Sequence, residues 1–102
     1  MNTIRSEDRV FVSIVSLWEI AIKQSLGKIE LQNSIQDIAD KCHEADIKIL
    51  PVETKCLDQI KKLPDIHRDP FDRLIVSQGI SDDMVIVTKD ALIQKYPVKT
   101  IW

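Results

Sequence analysis

The sequence predicts an α/β fold, a three-layer α/β/α sandwich around a mostly parallel sheet. Short apolar runs alternate with segments that have helical spacing, polar capping residues precede several of those segments, and no internal repeat or low-complexity tract interrupts the order. Strand–helix–strand units of this kind form right-handed crossovers that cover both faces of a sheet with helices. The 102 residues are enough for one domain, residues 1–102.

The composition is typical of a soluble globular protein and excludes a broad basic surface. Hydrophobic residues make up 44% of the chain and charged residues 29%, and the net charge is -2. Nucleic-acid binding would therefore depend on a local patch or on a bound cation. No segment is apolar enough to cross a membrane and no signal peptide is recognisable, so we expect a cytoplasmic protein.

The two cysteines indicate neither a metal site nor a disulfide framework. Cys42 and Cys56 match neither a CxxC pair nor the spacing of a zinc finger. Cys42 shares a predicted helix face with apolar residues, and Cys56 stands beside Leu57. Both are predicted to be buried, reduced thiols.

The N-terminal part of the chain is predicted to contain one strand followed by one helix. Residues 1–9 are polar and are predicted to be irregular or the tail of a helix. The apolar run Val10–Ile14 is predicted to be a buried strand. Ser16 and Glu19 then form a capping-box pattern, which predicts a helix that begins at Ser16 and ends near Gly27.

The remaining elements alternate in the same way. Their predicted bounds are a helix over 35–45 capped by Ser34, a strand over 47–50, a helix over 54–62, a helix from Pro70, a strand over 84–88, a short helix over 90–95 and a strand over 98–102. In the helix over 54–62, the side chains of Cys56, Leu57 and Ile60 are expected to face the core.

The stretch from His67 to Gly79 has the clearest helix start in the chain. Asp69 fits the N-cap position, and Pro70 fits the first helical position, where a missing N–H costs nothing. Asp72 then lies one turn along on the same face as Asp69. Gly79 suits the C-terminal end of this helix. His67 is expected to be a solvent-facing turn residue.

Three acids are predicted to lie near the carboxyl ends of the strands. Glu19 is in the first turn after the first strand, Asp90 follows the strand over 84–88, and Asp72 opens the helix that leads into that strand. Ligands of open parallel sheets bind at this edge. Carboxylates without a matching cluster of histidines or cysteines suit Mg²⁺ or Mn²⁺, ions that support hydrolysis of a phosphodiester.

Each acid also has an ordinary structural explanation. Glu19 can be a capping-box acid that pairs with Lys23, and Asp69 is expected to be an N-cap and not a ligand. Asp72 can favour the positive end of its helix, and Asp90 can cap the helix that it begins. From the residues alone, the metal site and these separate structural roles are equally supported.

Five segments together resemble a known family. They are Val12–Lys23, Leu63–Pro64, His67–Gln78, Val87–Asp90 and Tyr96–Trp102. In this order, and over nearly the whole chain, they resemble the PIN domain, and in particular the VapC-like toxins of bacterial type II toxin–antitoxin systems. The resemblance implies a Mg²⁺- or Mn²⁺-dependent ribonuclease that an antitoxin protein silences.

The resemblance also implies roles for single residues. Glu19, Asp72 and Asp90 match three of the family's acidic positions, and are therefore implied to be catalytic metal ligands. Further residues of the same segments are expected to support these acids or to contact RNA. The expected caps or supports are Asp69, Ser16 and Thr88, and the candidate RNA contacts are Arg68 and Arg73.

The chain departs from the family pattern at its start. PIN domains begin with a strand that ends in an Asp, the first metal ligand, and this sequence begins about 30 residues later, after one βα unit. That strand lies in the middle of the family's sheet, so its loss is expected to weaken activity and to leave a gap. The remaining strands or a second copy of the chain would close the gap, so we expect a homo-oligomer. The alternative function is a non-catalytic PIN-like module that binds an antitoxin.

Overall fold

The computed structural model describes residues 3–6, 9–29, 32–88 and 90–101, which form five strands and four α-helices. The strands are β1 (Thr3–Ser6), β2 (Arg9–Ser13), β3 (Ile47–Leu50), β4 (Val85–Val87) and β5 (Thr100–Ile101). The helices are α1 (Ile14–Ser25), α2 (Ile35–Glu44), α3 (Thr54–Ile60) and α4 (Pro70–Ser81), and a single 3₁₀ turn (Ile93–Lys95) precedes β5.

The sheet is mixed because one strand runs against the other four. The strand order is β3-β2-β1-β4-β5, in which β2 pairs with β3 and β4 pairs with β5 in parallel. The central strand β1 is antiparallel to both β2 and β4, with Ile4 opposite Phe11 on one side and Ile86 on the other. Helices alternate with the four co-directional strands, and this arrangement confirms the predicted α/β fold and is consistent with an α/β/α sandwich.

The prediction for residues 1–9 is wrong wherever these residues are described. Thr3–Ser6 is the central strand and Arg9 already belongs to β2. Ile4 is completely buried. A strand of four residues needs only one apolar side chain that faces the core, and the other residues of β1 are polar, so the sequence shows no apolar run at this strand. Because β1 lies between β2 and β4, no gap separates these strands, and the reason given above for self-association does not apply.

The first helix begins three residues before its predicted start. Its N-cap is Ser13 and not Ser16, because the Ser13 Oγ accepts a hydrogen bond of 3.0 Å from the Val15 N–H. Ser16 is buried inside α1 and caps nothing. The predicted end near Gly27 is confirmed, since Gly27 has a positive φ of 68° just after the helix.

The middle of the chain follows the prediction closely, except that Cys42 and Leu57 are less buried than expected. Ser34 caps α2 in a capping box with Asp37, and β3 has its predicted bounds. Both cysteines are free; Cys56 is fully buried and Cys42 is partly buried. Leu57, however, is 52% exposed and does not face the core, because it lies about 100° around α3 from Cys56.

The role of Gly79 also differs from the prediction. Helix α4 continues to Ser81, so Gly79 lies inside its last turn and does not end it. A Cβ atom at this position would lie 3.0 Å from the Val98 Cγ2 and 3.1 Å from the Ile86 side chain. The glycine therefore lets α4 pack closely on the sheet.

Toward the C-terminus, the elements are shorter than predicted. The helix expected over 90–95 is the 3₁₀ turn, and the strands expected over 84–88 and 98–102 are reduced to β4 and β5, with Trp102 outside the described residues. No helix in the described ranges has both the length and the apolar character that a membrane span requires.

A buried glutamine joins α4 to the ends of two strands. Gln78 is completely buried, and its Nε2 donates to the backbone carbonyls of Leu50, at 3.3 Å, and Pro51, at 3.1 Å. Its Oε1 accepts a hydrogen bond of 2.5 Å from the Ser13 Oγ. Since Ser13 ends β2 and Leu50 ends β3, these bonds fix α4 relative to the edge of the sheet where the site lies.

Candidate active site

Helix α4 and strand β4 bring two of the predicted acids to one edge of the sheet. Asp90 comes shortly after the carboxyl end of β4, and Asp72 lies in the first turn of α4. A helix that leads into a strand runs back along the sheet, so its first turn lies at the edge where the strands end. The side chains of Asp72 and Asp90 meet there through His67.

His67 lies between the two carboxylates. Its Nε2 is 3.0 Å from the Asp72 Oδ2 and 3.3 Å from the Asp90 Oδ2. One ligand atom from each of the three residues lies within 4.8 Å of the others. The His67 side chain is only 16% exposed, so the prediction that it faces solvent is wrong.

Hydrogen bonds on both sides of His67 fix its orientation and its tautomer. The backbone N–H of His67 donates to the Tyr96 hydroxyl at 2.7 Å, and the Asp69 N–H donates to the His67 Nδ1 at 3.1 Å. Because Nδ1 accepts a hydrogen bond, the ring proton is on Nε2. His67 therefore donates this proton toward the carboxylates of Asp72 and Asp90.

Asp72 is the acid most affected by its surroundings. Burial raises the pKa of Asp72 to about 6, and the negative charge of Asp69 adds to the increase. The nearby imidazole of His67 opposes it, while Asp90 and Glu19 contribute smaller increases. A partly buried carboxyl group surrounded by three other acids is one that a divalent cation would stabilise in its charged form.

The two carboxylate oxygens of Asp90 have different hydrogen-bond partners. Oδ1 accepts hydrogen bonds from the backbone N–H groups of Leu92, at 2.8 Å, and Ile93, at 3.4 Å, whereas Oδ2 faces His67. Desolvation alone would raise the pKa of Asp90, but these two backbone hydrogen bonds, together with the hydrogen bond and charge of His67, outweigh it and lower the pKa. The Thr88 hydroxyl accepts from the Asp90 N–H at 3.0 Å and so supports the turn.

Glu19 borders this cluster without joining it. Its carboxylate forms the predicted ion pair with Lys23, at 2.9 Å. Among the described residues, the ligand atoms grouped within 4.8 Å belong to His67, Asp72 and Asp90, and not to Glu19. The hydrogen bond that Lys23 donates to Glu19 raises the pKa of Lys23, and the charges of Asp69 and Asp72 add to this effect, so the pair lies within electrostatic reach of the cluster.

The remaining candidate residues have defined structural contacts. Asp69 is the N-cap of α4, and its Oδ1 accepts from the Phe71 N–H at 2.9 Å. Arg73 donates to the Pro64 carbonyl, at 3.1 Å, and to the Tyr96 hydroxyl, at 3.2 Å, so its guanidinium group anchors the loop before α4. Arg68 is exposed to solvent and directly follows His67 in the chain.

An aromatic contact joins the helices that carry Glu19 and Asp72. The rings of Trp18 and Phe71 meet edge to face, with centroids 4.8 Å apart and an interplanar angle of 75°. Such pairs contribute about 0.5–1.5 kcal/mol beyond area burial. Trp18 also borders an open groove of about 450 Å³, whose lining is entirely apolar: Ile14, Val15, Trp18, Val52, Leu57 and Leu74.

His67 and Tyr96 are the residues of this site that sequence reasoning missed. The position of His67 in the sequence could have indicated its role. It lies two residues before the N-cap Asp69, and an imidazole at that position can reach the first turn of the helix. Tyr96 has no local signal, since its contact with His67 spans 29 positions of the chain.

The donor set fits a divalent cation. Carboxylate oxygens are the preferred ligands of Mg²⁺ and Mn²⁺, and Asp72 and Asp90 supply them, while His67 donates a hydrogen bond beside them. Burial first, and then the charge of Asp69, raise the pKa of Asp72. A bound divalent ion would stabilise the ionised carboxylate against both effects.

Comparison with known proteins identifies the family of the chain. The family model described as the PIN domain matches residues 2–99. PIN domains are nucleases that generally use divalent metals and bind RNA. No curated protein and no solved structure matches the chain significantly. With nearly its whole length matched and a carboxylate cluster at the edge where β4 ends, the chain belongs to the PIN domain family.

Proposed function

We propose that this chain is a metal-dependent ribonuclease of the toxin–antitoxin type, with Glu19, Asp72 and Asp90 as its catalytic metal ligands. The observation that supports this most is the approach of Asp72 and Asp90 to a single point, the Nε2 of His67. Membership of a nuclease family supports the class of reaction. The ion would be Mg²⁺ or Mn²⁺, which stabilises charge on a phosphodiester and activates water.

The side chains around this point would orient the ligands and bind the substrate. Asp72 is held by the first turn of α4, and Asp90 by the hydrogen bonds of its turn. Glu19 would reach the ion by releasing Lys23, whose half-exposed ammonium group would then be free to contact a phosphate. His67 would donate a hydrogen bond at the same edge.

We further propose that the activity is weak. The family resemblance places a first Asp at the end of the central strand, whereas the central strand here is antiparallel and presents Thr3 opposite Val87 at this edge. A neutral hydroxyl does not replace a carboxylate ligand of a divalent ion. The ion pair with Lys23 also competes for the carboxylate of Glu19.

Cleavage of single-stranded RNA in the presence of Mn²⁺ tests this function. The parent chain should cleave weakly, Asp72→Asn should abolish cleavage, and Asp65→Asn should retain it, because Asp65 is an exposed acid of the loop before α4. Strong cleavage that Asp72→Asn removes would overturn the proposed weak activity. Cleavage that survives Asp72→Asn, or that needs no added ion, would overturn the proposed mechanism.

The second candidate function is a non-catalytic module that binds an antitoxin. The apolar groove next to Trp18 and Leu57 favours it, because exposed apolar surface of this kind often marks a protein contact. A pull-down with the neighbouring gene product, run beside the cleavage assay, separates the two. Binding without cleavage would favour the module.

The cellular setting and assembly state belong to the same proposal. A ribonuclease of this type would act in the cytoplasm, on RNA, under the control of an antitoxin protein. The homo-oligomer stays a prediction, which light scattering at micromolar concentration checks. A clean monomer would contradict it.

A further inference from the structure

We propose that Tyr96 is a positioning residue of the candidate active site. Its buried hydroxyl group holds together the two parts of the chain that carry the carboxylates: the Asp72 segment, residues 64–73, and the Asp90 segment, residues 90–96. Tyr96 would act in the ion-free protein and would contact neither the ion nor the substrate. The inference rests on the proposed metal-binding function and adds a residue that the carboxylate cluster does not include.

The Tyr96 hydroxyl is a buried polar group that is bonded to the Asp72 segment. Tyr96 is 3% exposed, and its ring belongs to the hydrophobic core. The hydroxyl accepts hydrogen bonds from the His67 backbone N–H, at 2.7 Å, and from the Arg73 guanidinium group, at 3.2 Å. It donates to the His67 backbone carbonyl at 3.5 Å. These bonds use both the donor and the acceptor capacity of the hydroxyl.

His67 and Arg73 connect the hydroxyl to Asp72 from two sides. Arg73 directly follows Asp72 in α4, and its guanidinium group also donates to the Pro64 carbonyl at 3.1 Å. The His67 Nε2 lies 3.0 Å from the Asp72 Oδ2. The hydroxyl therefore fixes the Asp72 segment at one point before Asp72 in the chain and at one point after it.

The position of Tyr96 is tied in turn to Asp90. The Asp90 Oδ1 accepts hydrogen bonds from the backbone N–H groups of Leu92 and Ile93. The Tyr96 N–H donates to the Ile93 carbonyl at 3.1 Å. Asp90 and Tyr96 thus belong to one hydrogen-bonded turn, and the bonds from this turn to the Asp72 segment help to set the separation of the two carboxylates.

Fixing this separation before an ion binds should increase the affinity of the site. Two ionised carboxylates repel each other, so loosely held segments would move apart in the ion-free protein. An ion would then have to order both segments as it binds, and this ordering reduces the affinity. Phenylalanine at position 96 would fill the core equally well, so the packing of the ring does not explain the hydroxyl, whereas the bonds to the Asp72 segment do.

Titration with Mn²⁺, followed by the electron paramagnetic resonance of free Mn²⁺, tests this proposal. Tyr96→Phe keeps the ring in the core and removes only the hydroxyl, and it should bind Mn²⁺ about 2- to 10-fold more weakly than the parent chain. Ser77→Ala is the matched control, because it also removes one buried hydroxyl, which donates to the Cys56 carbonyl of α3. This control should bind Mn²⁺ as the parent chain does, although urea unfolding should show a loss of stability in both variants.

The imidazole signals of the ion-free protein provide a second measurement that requires neither metal nor cleavage. In proton magnetic resonance spectra, Tyr96→Phe should shift the ring signals of His67 and leave those of the exposed His43 unchanged. Ser77→Ala should shift neither. Unchanged Mn²⁺ affinity in Tyr96→Phe, an equal loss in Ser77→Ala, or unchanged His67 signals would overturn the role of Tyr96. A parent chain that binds no Mn²⁺ would instead overturn the proposed function.

Discussion

The carboxylate of Asp72 is suited to binding a metal ion, but its charge destabilises the folded protein. Its pKa is about 6 in the folded protein against an ordinary value of 3.8, mainly because of burial. The folded state therefore binds a proton more tightly than the unfolded chain, and the stability contributed at low pH is lost as the pH rises through about 6. At neutral pH the ionised Asp72 destabilises the fold, as is common for groups retained for function.

Asp72→Asn should therefore stabilise the protein at neutral pH. Removing the buried charge is expected to raise the free energy of unfolding at pH 7 by about 1–3 kcal/mol. The gain should vanish near pH 4, where the aspartate of the folded protein is already protonated. Urea unfolding at pH 7 and pH 4 measures this gain. A loss of stability at pH 7 would contradict the raised pKa of Asp72.

His67 provides a second test at the residue scale. His67→Ala removes the shared donor of Asp72 and Asp90 and the acceptor of the Asp69 N–H. We expect a loss of about 1–3 kcal/mol in the free energy of unfolding, because partly buried polar groups lose their partners. The control is His43→Ala on the exposed face of α2, which should change little. Equal effects of the two variants would show that the His67 contacts contribute nothing.

At the scale of elements, local capping patterns predicted two of the helix starts. Ser34 is the N-cap of α2 and Asp69 is the N-cap of α4, and both predictions are confirmed. Ser13 and Ser16 both precede an apolar stretch, and the choice between them depends on which residues the sheet buries. Burial is a tertiary property, so the local pattern could not decide it.

The packing of α4 on the sheet gives the prediction for this scale. Gly79→Ala should lower the free energy of unfolding by about 1–3 kcal/mol, because its new methyl group would overlap Val98 and Ile86. Gly27→Asn is the control, since Asn tolerates a positive φ and nothing lies within 4 Å of a Cβ at Gly27. It should stay within about 0.5 kcal/mol of the parent. Thermal unfolding of both variants measures these changes. If the stability of Gly79→Ala equals that of the parent chain, the close packing of α4 on the sheet is contradicted.

At the scale of the whole molecule, the order of strands and helices predicted three acids near one edge of the sheet, but not what joins them. The structure brings the side chains of Asp72 and Asp90 together there, while Glu19 stays outside the cluster. The bridge through His67 and Tyr96 depends on side chains far apart in the chain, which no local pattern encodes. The central strand β1 escaped prediction because its pairing with β2 and β4, and not its own composition, makes it a strand.

The central claim for the molecule is that Asp72 and Asp90 together hold a divalent ion. Titration of the protein with Mn²⁺ at about pH 7.5, followed by the electron paramagnetic resonance of free Mn²⁺, tests it without any substrate, and at this pH both carboxylates are ionised. The parent chain and Asp65→Asn should bind Mn²⁺ equally, and Asp72→Asn should bind it at least about tenfold more weakly. Equal binding by the parent chain and Asp72→Asn, or no binding by the parent chain, would contradict the claim.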